Sequence, residues 1–246
     1  MTSKLLTTVK LNHASPLFLA ANAARTCWDS NDKSDTLKQL QCTNCLSTDI
    51  DTTAMECEEC GGSSFENHLG ERDEALLERV IGKFKHGSIA EHITINISVK
   101  RMPRSVLQEI SRHRIGVSPS VASSRYILKK IMKGLKQEDY SKYFMYIGDE
   151  VVDSLLEQQI TTLITAVKTG KSNDVIKHLL PEAMYADGVY TFNLRAVHAF
   201  LNLRIADGVY PPIQYLASRI YDSIPESYRF LTPINEQYYL PANKLN

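Results

Sequence analysis

Four of the five cysteines form two Cys-x-x-Cys pairs, Cys42 with Cys45 and Cys57 with Cys60, separated by eleven residues. This spacing is typical of a tetrahedral zinc site, and Gly61 after the second pair allows the tight turn that directs backbone amides at sulfur. Two disulfides are the alternative, but a chain without a secretory signal is expected in a reducing compartment. We therefore predict a structural zinc knuckle in an intracellular, cytoplasmic protein.

The knuckle is predicted to be an insertion into a larger domain. It occupies residues 40–66, inside an acidic stretch rich in Thr and Ser that runs between Asp29 and Glu71. The chain has 246 residues, of which 43% are hydrophobic, and this is enough for one sizeable core. We predict a single domain over residues 1–246 that carries this insertion.

The hydrophobic pattern predicts an α+β fold, with a small antiparallel-type sheet flanked by helices. Residues 92–100 alternate apolar and polar side chains, which is the period of a half-buried strand. Further strands are predicted over residues 5–11 and 189–192. Apolar residues at helical spacing predict helices over 15–27, 73–85, 103–112, 151–167, 193–205 and 211–224.

The formal net charge is zero, with 28 basic and 28 acidic residues, which argues against a general binder of polyanions. The charge is unevenly distributed. Residues 31–80 hold 12 acidic and 4 basic side chains, whereas residues 82–137 hold 2 acidic and 12 basic ones. The second segment should attract anions. No apolar run approaches the roughly 20 residues of a membrane span, so we expect no membrane partner.

Residues 112–126 read RHRIGVSPSVASSRY and contain three arginines, one histidine and four serines. Guanidinium groups bind phosphate in bidentate fashion, and serine hydroxyls and turn amides add neutral donors. Gly116 and Pro119 should end the preceding helix, so we expect a loop suited to a nucleotide or flavin phosphate. A solvated basic surface explains the composition equally well.

The order of these residues resembles the signature of the flavin-dependent thymidylate synthases, in which Arg-His-Arg is followed by seven residues and then by Ser and Arg. Here eight residues separate Arg114 from Ser123, and we place the extra one in the turn at 116–120. Three more segments follow the family's order. They are ARTCW at 24–28, HGSIAEH at 86–92, and NLR at 193–195 with FLNLR at 200–204.

This resemblance implies the methylation of dUMP to dTMP by methylenetetrahydrofolate, with FAD reduced by NADPH, in a homotetramer whose sites lie between subunits. Arg204 would be the catalytic residue. The implied FAD contacts are Ser88, Arg112, His113, Arg114, Asn193 and Arg195. The implied dUMP contacts are Glu109, Arg112, Val121, Ala122, Ser123, Ser124, Arg125, Lys177 and Arg204.

The chain departs from the family pattern at several positions. Glu109 stands where glutamine is common, and either Gln108 replaces it or Glu109 meets a ribose hydroxyl. Lys177 stands for an arginine, which keeps the charge but loses the bidentate fork. Ala199 replaces a polar flavin contact, and Cys27 is expected to be a buried thiol.

A second class of function accounts for part of the sequence. A zinc-ribbon protein that binds nucleic acid would use both the knuckle and the basic segment. It would not need the segments at 86–92, 193–195 and 200–204, and it would be expected to carry a net positive charge. We therefore favour the enzyme, without a nucleic-acid partner.

Overall fold

The computed structural model describes residues 5–36, 41–51, 54–63 and 69–242. Its main sheet has four strands in the order β1-β4-β6-β5, and every neighbouring pair is antiparallel. A second, two-stranded sheet lies in the knuckle segment. The mixed helix and antiparallel-sheet architecture predicted from the sequence is confirmed. The strands are β1 (Thr8–Ala14), β2 (Ile50–Asp51), β3 (Glu56–Cys57), β4 (Thr94–Lys100), β5 (Val117–Val121) and β6 (Gly188–Asn193).

Strand β4 is central to the sheet because it pairs with β1 on one side and β6 on the other. Its apolar residues Ile95, Ile97 and Val99 are buried against the helices. On the opposite face the amide of Asn96 accepts a hydrogen bond from Asn12 and donates one to Thr191, both at 2.8 Å. The alternation in the sequence therefore separates an apolar core face from a hydrogen-bonded polar face.

Nine α-helices occur in the described residues, and a π-helix (Glu78–Lys83) directly follows the second of them. Most of the predicted helices are present within two residues of their expected ends. No helix among the described residues is long and apolar enough to cross a membrane. The helices are α1 (Phe18–Cys27), α2 (Glu71–Leu77), α3 (Gly87–Ala90), α4 (Arg104–Ile110), α5 (Ser124–Met132), α6 (Glu150–Lys168), α7 (Asn173–Ile176), α8 (Leu194–Arg204) and α9 (Pro211–Ser223).

Local details differ from the sequence-based expectations. Strand β1 lies three residues later than predicted, because its pairing with β4 runs from Thr8 opposite Lys100 to Ala14 opposite Ile95. The Ser15 hydroxyl lies 2.7 Å from that of Thr94 and does not cap α1, which begins at Phe18. Contacts with β4 thus determine where β1 begins and where α1 begins.

The expected loop after the Arg-His-Arg segment is a strand followed by a helix. Gly116 has a left-handed backbone with φ +71° and makes the turn into β5. Pro119 is tolerated in this strand because β5 is at the edge of the sheet. Helix α5 then begins at Ser124, and its Leu128 and Met132 are buried.

Two hydrophobic clusters hold the helices in place. The larger one lies against the main sheet and includes residues of α1, α2, α4, α8 and α9. The smaller one joins α5 to α6 around Leu128, Phe144, Ile160 and Leu163. Helix α6 is capped at its start by Asp149, whose carboxylate accepts from the backbone N–H groups of Val151 and Val152.

The two ends of the knuckle segment are held together by hydrogen bonds at its base. The Asp35 carboxylate accepts from the backbone N–H groups of Arg72 and Asp73 at 2.8 and 3.1 Å. Partial burial raises the pKa of Asp35, but these backbone donors outweigh it, so that its pKa is below the usual value. A Cβ at Gly70 would lie 2.3 Å from the Asp35 carboxylate carbon, so only glycine fits there.

A buried ion pair completes this base. The carboxylate of Asp73 is fully buried and accepts two bonds of 2.7 Å from the Arg25 guanidinium. It also accepts from the Ser34 hydroxyl at 2.5 Å and from the Thr36 backbone at 3.3 Å. The residues at which the insertion leaves the domain, near Asp35, therefore lie beside those at which it returns, near Asp73.

We expect Asp73→Asn to lower the free energy of unfolding by about 3–5 kcal/mol, because it leaves the Arg25 charge buried without its partner. Denaturant unfolding followed by circular dichroism measures this change. Glu138→Gln is the matched control, since its pair with Lys136 is exposed on both sides. An equal loss in both variants would contradict a special role for the buried pair.

Candidate functional site

A cluster of charged and aromatic side chains forms where the end of α8 meets the end of α4. The Arg204 guanidinium donates to the Glu109 carboxylate at 2.9 Å and to the Glu109 carbonyl at 3.2 Å. Its Nε donates to Nε2 of His113 at 3.2 Å. Arg112 contacts the same carboxylate at 3.1 Å. Glu109 thus holds two guanidinium groups, one of them largely buried and the other exposed.

His113 is held so that its ring accepts a hydrogen bond from Arg204. Burial lowers the pKa of His113, the nearby Arg204 charge lowers it further, and Glu109 opposes them in part. The neutral ring is therefore favoured, and Nε2 is free to accept. An edge contact with Phe200, at 4.8 Å between ring centroids, fixes the ring plane.

Helix α8 places Asn193 and Arg195 at the opposite end from Arg204. Oδ1 of Asn193 accepts from the backbone of Ala196 at 2.8 Å and so caps the helix. The Asn193 backbone donates to the carbonyl of Gly116 at 2.8 Å. A Cβ at Gly116 would meet the Asn193 side chain at 2.4 Å. The turn after Arg-His-Arg is therefore packed directly against the start of α8.

The turn before β4 lies beside the same end of α8. Arg195 forms an ion pair of 2.7 Å with Glu91. A Cβ at Gly87 would lie 2.8 Å from Cδ and Nε of Arg195, so glycine permits this close approach. Ser88 follows Gly87 at the start of α3. Two of the residues implied in FAD binding, Ser88 and Arg114, thus lie in the segments that meet the start of α8, where two more, Asn193 and Arg195, are located.

The serine-rich segment is fixed by a carboxylate from α7. Arg125 and Lys177 each contact Asp174 at 3.2 Å, so that one acidic group lies between two predicted phosphate ligands. The amide of Asn173 donates to the Arg125 carbonyl at 2.7 Å. Ser123 stands at the start of α5, and Ser124 is buried. These contacts join the start of α5 to α7.

A cleft of about 260 Å³ lies beside this segment. Its lining includes Gln108, Ser124 and Lys177, together with Arg104 and Glu182. Gln108 donates to Glu182 at 2.7 Å and lies on the cleft side of α4. Consecutive residues on a helix point about 100° apart. Gln108 therefore belongs to the cleft with Ser124, whereas its neighbour Glu109 belongs to the Arg204 cluster.

The four knuckle cysteines come together as their spacing predicts. Their ligand atoms all lie within 4.8 Å of one another, with 3.6 Å between the sulfurs of Cys42 and Cys60 and 3.4 Å between those of Cys45 and Cys57. Sulfur ligands about 2.3 Å from a tetrahedral zinc lie about 3.8 Å apart, close to these values. A disulfide needs about 2.05 Å. The thiol arrangement fits a metal ligand set.

The two cysteine pairs have matching backbone turns. The N–H of Leu46 donates to the carbonyl of Cys42, and that of Gly61 donates to the carbonyl of Cys57, both at 2.8 Å. Leu46 and Gly61 both have left-handed φ values, 61° and 66°. A backbone N–H of Cys45 lowers the pKa of the Cys42 thiol to about 7. A backbone N–H also lowers the pKa of Cys45, but the neighbouring Cys57 thiol and burial outweigh it and raise that pKa to about 12, so the thiolate is favoured at Cys42 and not at Cys45.

The remaining predicted residues lie near these groups. Val121 ends β5, and Ala122 donates its backbone N–H to Asp187 at 2.8 Å. Arg114 forms no ion pair within the part of the chain that the structure describes. Cys27 was expected to be buried, but its thiol is exposed because it lies in the last turn of α1 on the solvent side.

Sequence reasoning missed the acidic residues that position the cations. Asp174 and Glu182 lie in no recognised motif, and Glu91 lies in the HGSIAEH segment but was assigned no role there; each has a partner distant in sequence. Asp174 had one local signal, because Lys177 follows it at the i, i+3 spacing of a helical ion pair. Glu91 and Arg195 each lie in a named segment, but their pairing across 104 residues had no signal in the sequence.

Comparison with known proteins agrees with this arrangement. Residues 10–228 match the sequence model of the family described as thymidylate synthase complementing protein. A flavin-dependent thymidylate synthase from Wolinella succinogenes is 32% identical over 235 residues, covering 94% of this chain and 99% of the relative. One from Campylobacter jejuni is 30% identical over 221 residues, covering 88% and 91%.

A crystal structure of thymidylate synthase X from Helicobacter pylori with FAD and dUMP superposes with a TM-score of 0.74. The two chains are 27% identical, and the match covers 95% of this chain and 99% of the other. The residues that match the family model, 10–228, include both turns at α8, the Arg204 cluster and the serine-rich segment. The chain belongs to the flavin-dependent thymidylate synthase family.

Proposed function

We propose that this chain transfers the methylene carbon of methylenetetrahydrofolate to C5 of dUMP, with FAD as its cofactor and NADPH as reductant. The balanced reaction converts dUMP, methylenetetrahydrofolate, NADPH and a proton into dTMP, tetrahydrofolate and NADP⁺. Family membership gives the reaction class, and the FAD and dUMP of the Helicobacter pylori structure give the ligands by similarity.

The observation that carries the proposal is the Arg204 cluster. Glu109 and His113 hold the guanidinium of Arg204 in one orientation, and its side chain is only 12% exposed. A preorganised, poorly solvated cation stabilises negative charge that develops on a substrate. In the proposed reaction such charge develops on the N3/O4 edge of the uracil as a hydride is added.

The dUMP phosphate is assigned to the serine-rich segment. Ser123, Ser124, Arg125 and Lys177 offer hydroxyl, backbone and cationic donors beside the cleft, with Val121 and Ala122 leading into it. Lys177 has a single ammonium group where the family has an arginine, so Arg125 is expected to supply the bidentate contact with the phosphate. The proposed homotetramer, with sites between subunits, allows these groups and Arg204 to come from different protomers.

The residues proposed for FAD fit an anionic cofactor with polar edges. Arg112, His113, Arg114 and Arg195 supply ring and guanidinium donors, and Ser88 and Asn193 add neutral ones. Gly87 and Gly116 let Arg195 and Asn193 approach the backbone to distances that a Cβ would block. When bound, FAD supplies hydride chemistry between NADPH and the pyrimidine.

We also propose that the knuckle cysteines hold one structural zinc and that the protein is a single domain located in the cytoplasm. The sulfur distances support a zinc ligand set. The closed base at Asp35 and Asp73 supports an insertion that does not divide the domain. Because the base is closed, the zinc is expected to stabilise the insertion and not the nucleotide site.

The function is tested on the purified full chain by its visible spectrum and by conversion of dUMP. We expect a yellow protein with flavin absorbance that forms dTMP when all the substrates are present. The competing class, a zinc-ribbon protein that binds nucleic acid, would be colourless and would bind oligonucleotides in a salt-sensitive manner. That outcome would contradict the proposal.

We expect Cys27→Ala to retain turnover, because the proposed hydride chemistry needs no cysteine nucleophile. Cys27 is the only cysteine outside the knuckle, and its thiol is exposed at the end of α1. Steady-state dTMP formation measures the effect, with FAD content as the control for folding. An inactive variant that still binds FAD would show that a thiol takes part in the reaction.

A further inference from the structure

A groove between the ends of α5 and α6 combines a cationic rim with an apolar floor. Its volume is about 510 Å³. Lys129, Lys133 and Lys168 are on the rim, and none of the described residues that line it is acidic. The floor is formed by apolar side chains, of which Met132 is buried and Ile164 and Val167 are partly buried.

The rim lysines continue a basic stripe that begins in the serine-rich segment. Arg125 and Lys129 lie on one face of α5, and Lys133 directly follows the last residue of this helix; the three are at i, i+4 and i+8, which corresponds to about 6 Å between neighbours along the helix axis. Arg125 is neutralised in part by Asp174. Lys129 donates only to the carbonyl of Gly170, at 3.3 Å, within the described residues.

We propose that this groove binds the poly-γ-glutamyl tail of the folate substrate, an inference that rests on the proposed function. Each γ-linked glutamate carries one free carboxylate and two methylene groups, which match a lysine rim over an apolar floor. Five backbone bonds separate successive units, which gives a repeat of about 6 Å when extended. This repeat equals the spacing of the lysines along α5.

The proposal assigns a role to charges that the dUMP and FAD sites do not use. Lys129, Lys133 and Lys168 form no ion pair with any of the residues that the structure describes, so their charges repel one another, and an anionic chain lying across them relieves that repulsion. The stripe leads away from Arg125 of the proposed nucleotide site. A tail bound there would increase the affinity for methylenetetrahydrofolate without touching the reacting atoms. It should therefore change the KM for this folate and not kcat.

The test compares the KM for methylenetetrahydrofolate carrying one glutamate with that for the triglutamate form. Exposed ion pairs each contribute a factor of about two to five, so the triglutamate should have a KM about tenfold lower in low salt. The double variant Lys129→Ala, Lys133→Ala should lose this advantage while keeping its kcat with the monoglutamate. Lys129→Arg, Lys133→Arg should restore it.

Lys130→Ala is the matched control, because Lys130 is on the same helix but outside the groove. It should keep the triglutamate advantage. Equal KM values for the two folates in the parent, or an advantage that survives in the double alanine variant, would overturn this proposal alone. Absence of turnover with both folates would instead overturn the proposed function, and this proposal with it.

Discussion

Replacing Arg204 with alanine is expected to lower kcat for dTMP formation by about 100-fold or more, the usual loss when one preorganised charge-stabilising donor is removed. The structure gives the reason. Arg204 is largely buried and is oriented by Glu109 and His113, so its geometry is set before substrate binds. In the proposed reaction its interaction with the pyrimidine would grow only as charge develops, so kcat should fall and not only the affinity.

Arg125→Ala is the comparison for this prediction. Arg125 is 63% exposed and is expected to contact a phosphate, whose charge stays constant through the reaction. Such a contact binds substrate and transition state alike, so its loss should chiefly raise the KM for dUMP. Steady-state kinetics on both variants, after FAD content is checked, separates the two roles. Equal losses of kcat, or a pure KM effect at Arg204, would contradict this division.

The Arg204→Ala variant is expected to fold. Glu109 keeps its contact with Arg112 when Arg204 is removed, so the carboxylate does not remain buried and unpaired. Its side chain is also 22% exposed and can be hydrated. Loss of activity would therefore report on chemistry and not on unfolding.

Cys57→Ser is expected to reduce the zinc content from about one per chain to none, because structural zinc sites of this type need all four ligands. Cys57 is buried and lies opposite Cys45, so its sulfur has no nearby substitute in the described residues. Metal analysis after gel filtration measures the loss. Cys27→Ala is the matched control and should retain the metal.

The same variant should keep its affinity for dUMP and FAD. The base of the insertion is closed by Asp35 and by the Arg25–Asp73 pair, and neither depends on the knuckle. Proteolysis within residues 37–69 should become faster while the rest of the domain stays protected. Simultaneous loss of FAD and dUMP binding in a folded Cys57→Ser protein would show that the knuckle shapes the active site.

The sequence-based predictions were most accurate for features that depend on residues close together in the chain. The cysteine spacing identified the four residues whose sulfurs converge, and the alternation in residues 92–100 identified the central strand β4. Ordered motifs placed Asn193 and Arg204 at the two ends of one helix, as α8 shows. Each of these patterns depends on side chains close together in sequence.

The remaining features depend on contacts between distant segments. The sequence left open whether Gln108 or Glu109 faces the substrate; the fold directs Glu109 to Arg204, 95 residues away, and leaves Gln108 at the cleft. Strand β5 was hidden by Gly116 and Pro119, which suggest a loop unless the strand is known to be at an edge. The carboxylate of Asp174 gains its place in the site only through its contact with Arg125, 49 residues earlier in the chain.

The central claim is that the pyrimidine receives its hydride through bound flavin and not from the folate. The most direct measurement is the oxidation state of the folate product when dUMP, methylenetetrahydrofolate and NADPH react on the FAD-containing protein. We expect each dTMP formed to be accompanied by one tetrahydrofolate and the oxidation of one NADPH. Formation of dihydrofolate, with dTMP appearing in the absence of NADPH, would contradict it.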